Sequence, residues 1–387
     1  MNIVIAIDSF KGSCSASQAC EAIAHGITRY RSDITVCQLP ITDGGEGLLQ
    51  VLQESPLLSG KEICTLEVTG PYGQRVEAKY LKVDGQKAII EMAQACGLEL
   101  TLKAMRNASK ASSYGLGELV KHALDNGARH LIIGLGGSAT NDGGIGFAQA
   151  LGVRFYDQNN RLLSAPACGE DLIRVARIDS SQLHPAISTA QFDVSCDVSN
   201  PLLGPNGATW IYGPQKGADD AQLTRLEGGM ENYHRVLTEA SGKDVNALPG
   251  SGAAGGMGAA LLWFTHAELK PGISMVLGLL DAQKYIQAAD LVITGEGRLD
   301  AQSRFGKAPV GVAALAAAYH KPVIAIAGSL GEGASLLHQH HIDAMWSICP
   351  RPISLDDAMQ NVQKLLADTA ESLIRTLTVG SGLAYKS

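Results

Sequence analysis

Asp290-Leu-Val-Ile-Thr-Gly-Glu-Gly-Arg-Leu-Asp-Ala-Gln-Ser-Arg-Phe-Gly-Lys-Ala-Pro309 is the stretch from which the fold can be read. Residues 291–294 are a short apolar, β-branched run closed by glycine, the pattern of a buried strand. Gly295 and Gly297 would let the backbone turn sharply at the carboxyl end of that strand. Glu296, Arg298 and Asp300 fall at alternate positions, so an extended loop presents all three on one side. Lys307 stands just ahead of Pro309, a good first-turn residue for the alanine-rich helix expected to about residue 319. A lysine at a helix amino terminus makes an anion site, because open N–H groups and the helix dipole both favour negative charge there. Carboxylates, a guanidinium and an ammonium at one strand end point to metal and phosphate chemistry. The same residues would also suit a solvated loop of ordinary ion pairs, each contributing ~1 kcal/mol or less.

Downstream the alternation continues: strand 323–327, helix 333–341, strand 344–348, helix 355–377. These strands are apolar throughout, as in a parallel sheet covered on both faces. The amino terminus has the same character. A strand at 2–7 ends at Asp8, Ser15 caps a helix over 16–30, and strand 35–39 leads through Pro40-Ile-Thr-Asp-Gly-Gly-Glu-Gly47 to a helix ending near 53. From about residue 62 the pattern changes. Segments 62–69, 75–83 and 88–92 alternate apolar and polar residues around turns at 70–73 and 84–85, an antiparallel meander. Helix 113–126, strands at 131–133, 153–156, 192–197 and 208–212, and an amphipathic helix over 221–240 follow. The fold class expected is therefore α/β with two domains. A discontinuous, doubly wound, flavodoxin-like domain takes 1–62 plus 287–387, and an inserted mixed-sheet α/β domain takes 63–286, with the active cleft between them.

Composition narrows the function. The 387 residues carry 45% hydrophobic and 18% charged side chains, as in a compact enzyme. A net charge of −7 leaves no electrostatic footprint for nucleic acid or anionic membrane, and no apolar run approaches the ~20 residues of a membrane span. The chain opens directly into a strand without a basic, apolar leader, so a cytoplasmic protein is expected. The eight cysteines contain no C-x-x-C pair and read as reduced core residues. His338-Gln-His-His341 is the only histidine cluster, and its position at a helix end reads as surface.

Glycine is the outlier, with 44 residues. Loops at 8–13, 43–47, 134–144, 197–200, 213–217 and 295–307 share one grammar: an apolar strand, glycines, then charged or amide residues. Successive N–H groups in such loops form an anion nest. A carboxylate beside phosphate needs Mg²⁺ between them, the pairing that phosphoryl transfer uses. Gly134-Leu-Gly-Gly-Ser-Ala139 also fits the dinucleotide pattern G-x-G-x-x-A after a strand, so the alternative is an NAD(P)-dependent hydroxy-acid dehydrogenase. Against it, Asp142 would fall in the first helical turn, where pyrophosphate should bind. Gly250-Ser-Gly-Ala-Ala-Gly255 follows Leu-Pro and not a strand, and no Walker A pattern occurs.

Asp8-Ser-Phe-Lys11, Thr42-Asp-Gly-Gly-Glu-Gly47, Gly136-Gly-Ser-Ala-Thr140 with Asp142-Gly-Gly, Cys196-Asp-Val-Ser-Asn-Pro201, Gly213-Pro-Gln-Lys-Gly217, Ala253-Ala-Gly-Gly-Met-Gly258 and Ile293-Thr-Gly-Glu-Gly-Arg-Leu-Asp300 together resemble the bacterial type I glycerate kinase family. The resemblance runs from Met1 to about Arg351, with the motifs in family order. It departs at Ser303-Arg304-Phe305, where relatives often carry smaller residues. It implies a flavodoxin-like domain with an inserted one, and Mg²⁺- and ATP-dependent phosphorylation of D-glycerate in the cytoplasm, mostly to 2-phosphoglycerate. The partners implied are glycerate and a nucleotide, with no nucleic acid and no membrane; a homo-oligomer is compatible.

Roles follow from residue chemistry. Asp8, Asp43, Glu46, Asp142, Asp197, Glu296 and Asp300 are candidates for general base or metal ligand. Asp197, Asp300, Glu296, Asp43 and Asp8 are assigned to catalysis, with Asp197 as base, and Asp300 and Asp142 to metal. Arg298, Lys11, Asn200 and Lys216 are assigned to substrate, Arg298 because its fork suits a carboxylate. Gly136, Gly137, Ser138, Thr140 and Lys307 are assigned to the nucleotide.

Overall fold

A computed structural model describes residues 1–45, 47–55 and 58–384, with side chains through residue 380. Glu46 lies outside the described residues. The chain divides into two compact units. One comprises Met1–Asp43, Gln50–Leu58 and Ile273–Ser387; the other comprises Gly44–Leu49 and Ser59–Gly272.

The first unit is built on five parallel strands in the order Ala344–Ser347, Val323–Leu330, Leu291–Leu299, Asn2–Ile7, Thr35–Pro40. Numbered by chain position within the unit, that order is 5-4-3-1-2. This is the flavodoxin-like winding, which reverses direction between its first and third strands and binds ligands outside their carboxyl ends. Ile3, Ile5, Ile7 and Ile293 interlock with Ile23, Ile27, Leu366 and Ile374 from the helices Ala16–Tyr30 and Val362–Ala384. The first of these helices starts with a reciprocal Ser15–Gln18 capping box. A Cβ on its Gly26 would lie 2.0 Å from the carbonyl oxygen of Ala367, so the two helices cross with no side chain between them there.

The strand at the centre of the sheet is longer than its sequence suggests. It does not turn at Gly295 and Gly297 but stays paired with Val323–Leu330 as far as Leu299. Gly295 is required for a different reason. Its φ is 156°, and a Cβ there would meet the carbonyl oxygen of Ile326 at 1.8 Å. Two helices also differ from expectation. Segment 333–341 is a 3₁₀ helix, Ala334–His340, flanked by left-handed Gly333 and His341. Segment 355–377 is two helices, Leu355–Gln360 and Val362–Ala384, separated at Asn361, whose amide donates to the Asp357 carbonyl.

The second unit holds a mixed sheet in the order Glu268–Lys270, Gln191–Ser195, His130–Gly134, Lys87–Glu91, Arg75–Val83, Lys61–Thr69. Its last two ladders are antiparallel, the expected meander, and the rest are parallel. Segment 208–212 is a helix, Ala208–Tyr212, not a strand. Ala208 and Thr209 are buried and Trp210 and Ile211 exposed, a grouping in pairs that suits a helix turn; a five-residue apolar run does not reveal its period beforehand. Strand 192–197 ends at Ser195, which leaves Cys196 and Asp197 beyond it. The cysteines form no disulfide among the described residues, and no helix there is long and apolar enough to cross a membrane.

Candidate active site

Strand register gathers the charged loops of the first unit. Ile7 is paired with Gly295 on one side and Pro40 on the other. Asp8 follows at once, its N–H donating to the Gly295 carbonyl at 3.0 Å, while Ile41 donates to the Ile7 carbonyl at 3.1 Å and leads the chain to Asp43. Glu296 is the residue after Gly295. Three carboxylates therefore arrive from three adjacent strands at the point where the winding reverses. With Ser9, Lys11, Arg298 and Lys307 they line one cavity of about 770 Å³.

The electrostatics of this cluster are strained. Burial, and then the charges of Asp43 and Glu296, push the Asp8 carboxyl up to about 7, although the Ser9 N–H donates to it at 2.6 Å. Burial also raises Glu296, opposed by Lys307 and Ser303. The Lys307 ammonium lies 3.2 Å from both Glu296 oxygens, and the buried Ser303 hydroxyl donates to one of them at 3.0 Å. Lys307 sits at the amino-terminal cap of helix Ala308–Ala317, with Pro309 in its first turn. Lys11 is exposed at the cavity wall.

Arg298 and Asp300 do alternate with Glu296, but only Glu296 and Arg298 line the cavity. Asp300 caps the short 3₁₀ turn Ala301–Arg304, accepting from Gln302 N–H at 2.9 Å, and pairs with the Arg298 Nε at 3.2 Å. The two sequence features missed in this region are Ser303, detectable as the third residue of a capping box with Asp300, and the apolar side chains at 348–362, which bear no motif.

The remaining candidates belong to the second unit. Gly136 is half-buried and Gly137 exposed, but Ser138 and Thr140 turn inward. Lys216, 1% exposed, donates to the Ser138 hydroxyl at 3.2 Å and the Thr140 carbonyl at 2.6 Å; burial pulls its ammonium down to about 7. Asp142 is wholly buried and accepts from Ser113 N–H and hydroxyl and from the N–H groups of Gly144 and Gly146. Asn200 donates to the Asn206 carbonyl at 2.8 Å and accepts from the Tyr212 hydroxyl at 2.7 Å. Asp197 is exposed and accepts the Gly272 N–H at 2.9 Å. Glu91, which carried no motif, is buried at the end of its strand and accepts the Leu49 N–H at the start of helix Leu48–Glu54.

The dinucleotide geometry is missing. After strand His130–Gly134 the next helix begins only at Ile145, behind Gly143 and Gly144 in left-handed conformations. The Gly134–Ala139 segment instead bonds to the chain at 92–98: Met92 and Leu98 donate to the carbonyls of Gly134 and Gly137, and Ala139 donates to Cys96. The direct strand–loop–helix step that would receive pyrophosphate is therefore not formed by this segment. Among the described residues no group of three or more His, Cys, Asp or Glu side chains forms a ready metal cage.

The model of the glycerate kinase family matches residues 3–378. The chain is 46% identical to a glycerate kinase of Halalkalibacterium halodurans, with 96% of this chain and 97% of that protein covered. It is 44% identical to the glycerate 2-kinase of Escherichia coli K12 over 98% of this chain and 99% of that protein. A crystal structure of a Salmonella typhimurium LT2 protein assigned as a glycerate kinase 2 superimposes with a TM-score of 0.87 at 43% identity, covering 99% of both chains.

Proposed function

The chain belongs to the glycerate kinase family and is an ATP-dependent kinase, and we propose that it moves the γ-phosphoryl group of ATP to a hydroxyl of D-glycerate, 2-phosphoglycerate being the favoured product. The observation that carries the site is the convergence of Asp8, Asp43 and Glu296 with Lys11, Arg298 and Lys307 on one cavity at the winding reversal. Phosphoryl transfer asks a protein chiefly to position two anions and neutralise the charge that develops between them.

In this reading Asp8 takes the proton from the attacking hydroxyl. Its carboxyl, held near 7, suits a base that works at neutral pH. Arg298, 67% exposed in its pair with Asp300, offers its fork to the glycerate carboxylate. Lys307 and Lys11 hold phosphate oxygens, with the start of helix Ala308–Ala317 behind Lys307. Asp197 is kept as the second candidate for the base.

The donor set fits Mg²⁺. The charges of Asp43 and Glu296 raise the proton affinity of Asp8, and that of Asp43 raises Glu296, which marks a place short of positive charge. Mg²⁺ takes one or two carboxylates and completes its shell with phosphate and water, so no all-protein cage is needed. Asp43 and Glu296 would hold it; Asp142 and Asp300 are engaged with N–H groups of their own turns. When bound, Mg²⁺ would neutralise phosphate charge. In the second unit Lys216, Ser138 and Thr140 act as the tether that presents Gly136 and Gly137. Cysteines without a disulfide agree with a cytoplasmic setting.

Incubation with Mg-ATP and D-glycerate is expected to release ADP one-for-one with phosphoglycerate, and phosphorus NMR of the product identifies the oxygen that was phosphorylated. Reduction of NAD(P)⁺ without ADP release would sink the reading.

A further inference from the structure

The cavity of the first unit has two chemically different ends. One carries the charged residues described above. The other is walled by Phe10, Ile348, Ile353, Leu355, Met359 and Val362. Leu355 is 74% exposed at its rim, and Ile353 and Met359 are half-buried, so these side chains present apolar surface that the fold itself does not cover. Apolar surface left in a cleft next to converging polar groups marks a ligand site.

We infer that this apolar end is the adenosine subsite, in which the purine and ribose of ATP lie on the 348–362 segment with the triphosphate directed toward Lys307; this rests on the kinase reading above. Size supports it. A volume of about 770 Å³ belongs with the roughly 300–1,000 Å³ pockets that take drug-sized ligands, and a three-carbon acid fills little of it. Chemistry supports it too. Glycerate exposes a carboxylate and two hydroxyls, and apolar walls would strip their water without replacing it. Of the two ligands in the reaction only the nucleotide brings a flat apolar face, and aliphatic and methionine side chains suit such a face.

Topology supplies the direction. Phe10 apart, which follows Asn2–Ile7, the apolar end is drawn from the carboxyl-terminal part of Val323–Leu330 and the segment after Ala344–Ser347, represented in the wall by Gly328, Ser329, Ile348 and Cys349. The charged end lies at the carboxyl ends of Asn2–Ile7 and Leu291–Leu299. From Asn2–Ile7 to Ala344–Ser347 is three strand spacings, about 14 Å at ~4.8 Å each, comparable with an extended nucleoside triphosphate. The ligand's long axis would then run along the carboxyl edge of the sheet, where such sheets bind nucleotides. In the second unit, by contrast, Ser138 and Thr140 are turned inward to Lys216.

Photolabelling of the full chain with 8-azido-ATP, followed by digestion and mass spectrometry, tests the placement. Label that excess ATP suppresses is expected on peptides spanning 348–359. Suppressible label on peptides spanning 134–144 or 250–258 instead, or none anywhere, overturns it. Two substitutions give an independent reading. Ala358→Trp should fill the apolar end, and Leu355→Asp should put a charge on its rim at an exposed position that folding tolerates. Each is expected to raise the KM for ATP about tenfold or more while the KM for glycerate stays within about twofold, one factor of ten being ~1.4 kcal/mol of binding. An unchanged KM for ATP in both variants, or a rise confined to glycerate, overturns the subsite. Failure of the kinase reading itself shows differently, as wild-type protein that releases no ADP when glycerate is added.

Discussion

Lys307 holds its ammonium 3.2 Å from each carboxylate oxygen of Glu296, at the cap of the helix that begins at Ala308. The pair is partly open, with side chains 36% and 15% exposed, so an arriving phosphate can share the cation without dismantling the fold. Lys307→Met is therefore expected to raise the KM for ATP about tenfold and to lower kcat, the scale of one charge-assisted hydrogen bond. The melting temperature should barely move, since a partly exposed ion pair contributes ~1 kcal/mol or less. A variant that melts several degrees lower, with normal ATP kinetics in its folded fraction, would make Lys307 a structural cation.

Lys216 should behave in the opposite way. Its ammonium is enclosed and spans the Ser138 hydroxyl and the Thr140 carbonyl, so it holds the glycine loop from beneath. Lys216→Met leaves buried oxygen acceptors without a donor, at a cost of about 1–3 kcal/mol each. Thermal unfolding should show a loss of several degrees, and kcat should fall as the loop loosens. A fully stable variant with only a raised KM for glycerate would return Lys216 to the substrate contacts.

The winding order and the charged strand ends were legible from sequence because buried parallel strands read as apolar runs and each loop announces itself with glycine. What was not legible depended on partners distant in the chain. The extension of the central strand to Leu299 is decided by Val323–Leu330 alongside it, not by Gly295 and Gly297. Asp142, Lys216 and Asn200 carry charged or amide groups in glycine loops, as a ligand contact would, yet each is engaged by protein groups that only the folded chain brings near. The apolar end of the cavity has no motif, because Phe10 and the residues at 348–362 meet only through the sheet.

Gly295 gives a test of fold rather than chemistry. A methyl group at this position would lie 1.8 Å from the Ile326 carbonyl oxygen, in a backbone conformation with φ at 156°. Neither strand can retreat without breaking its ladder, so Gly295→Ala is expected to destabilise the protein by about 1–3 kcal/mol or more. Denaturant titration measures it. An unchanged midpoint would mean that the two strands are not held in this register.

Asp8 offers the clearest separation of roles, because its titration predicts both stability and rate. Its folded pKa of about 7 lies above the ordinary 3.8, so the folded state binds this proton more tightly than the unfolded one. The stability that this proton contributes is complete below about pH 3.8 and is lost as pH rises through 7. Asp8→Asn cannot ionise, so its melting temperature should gain on the wild type between pH 5 and pH 8. Activity should move the other way. If Asp8 is the base, wild-type kcat/KM falls below about pH 7, and the Asn variant loses that limb together with about 10²–10⁴-fold in rate. Asp197→Asn, altering an exposed group of the second unit, should keep the acidic limb. If the limb survives in the Asp8 variant and disappears in the Asp197 variant, the base is Asp197, and Asp8 is a buried carboxyl that shapes the field around Asp43 and Glu296.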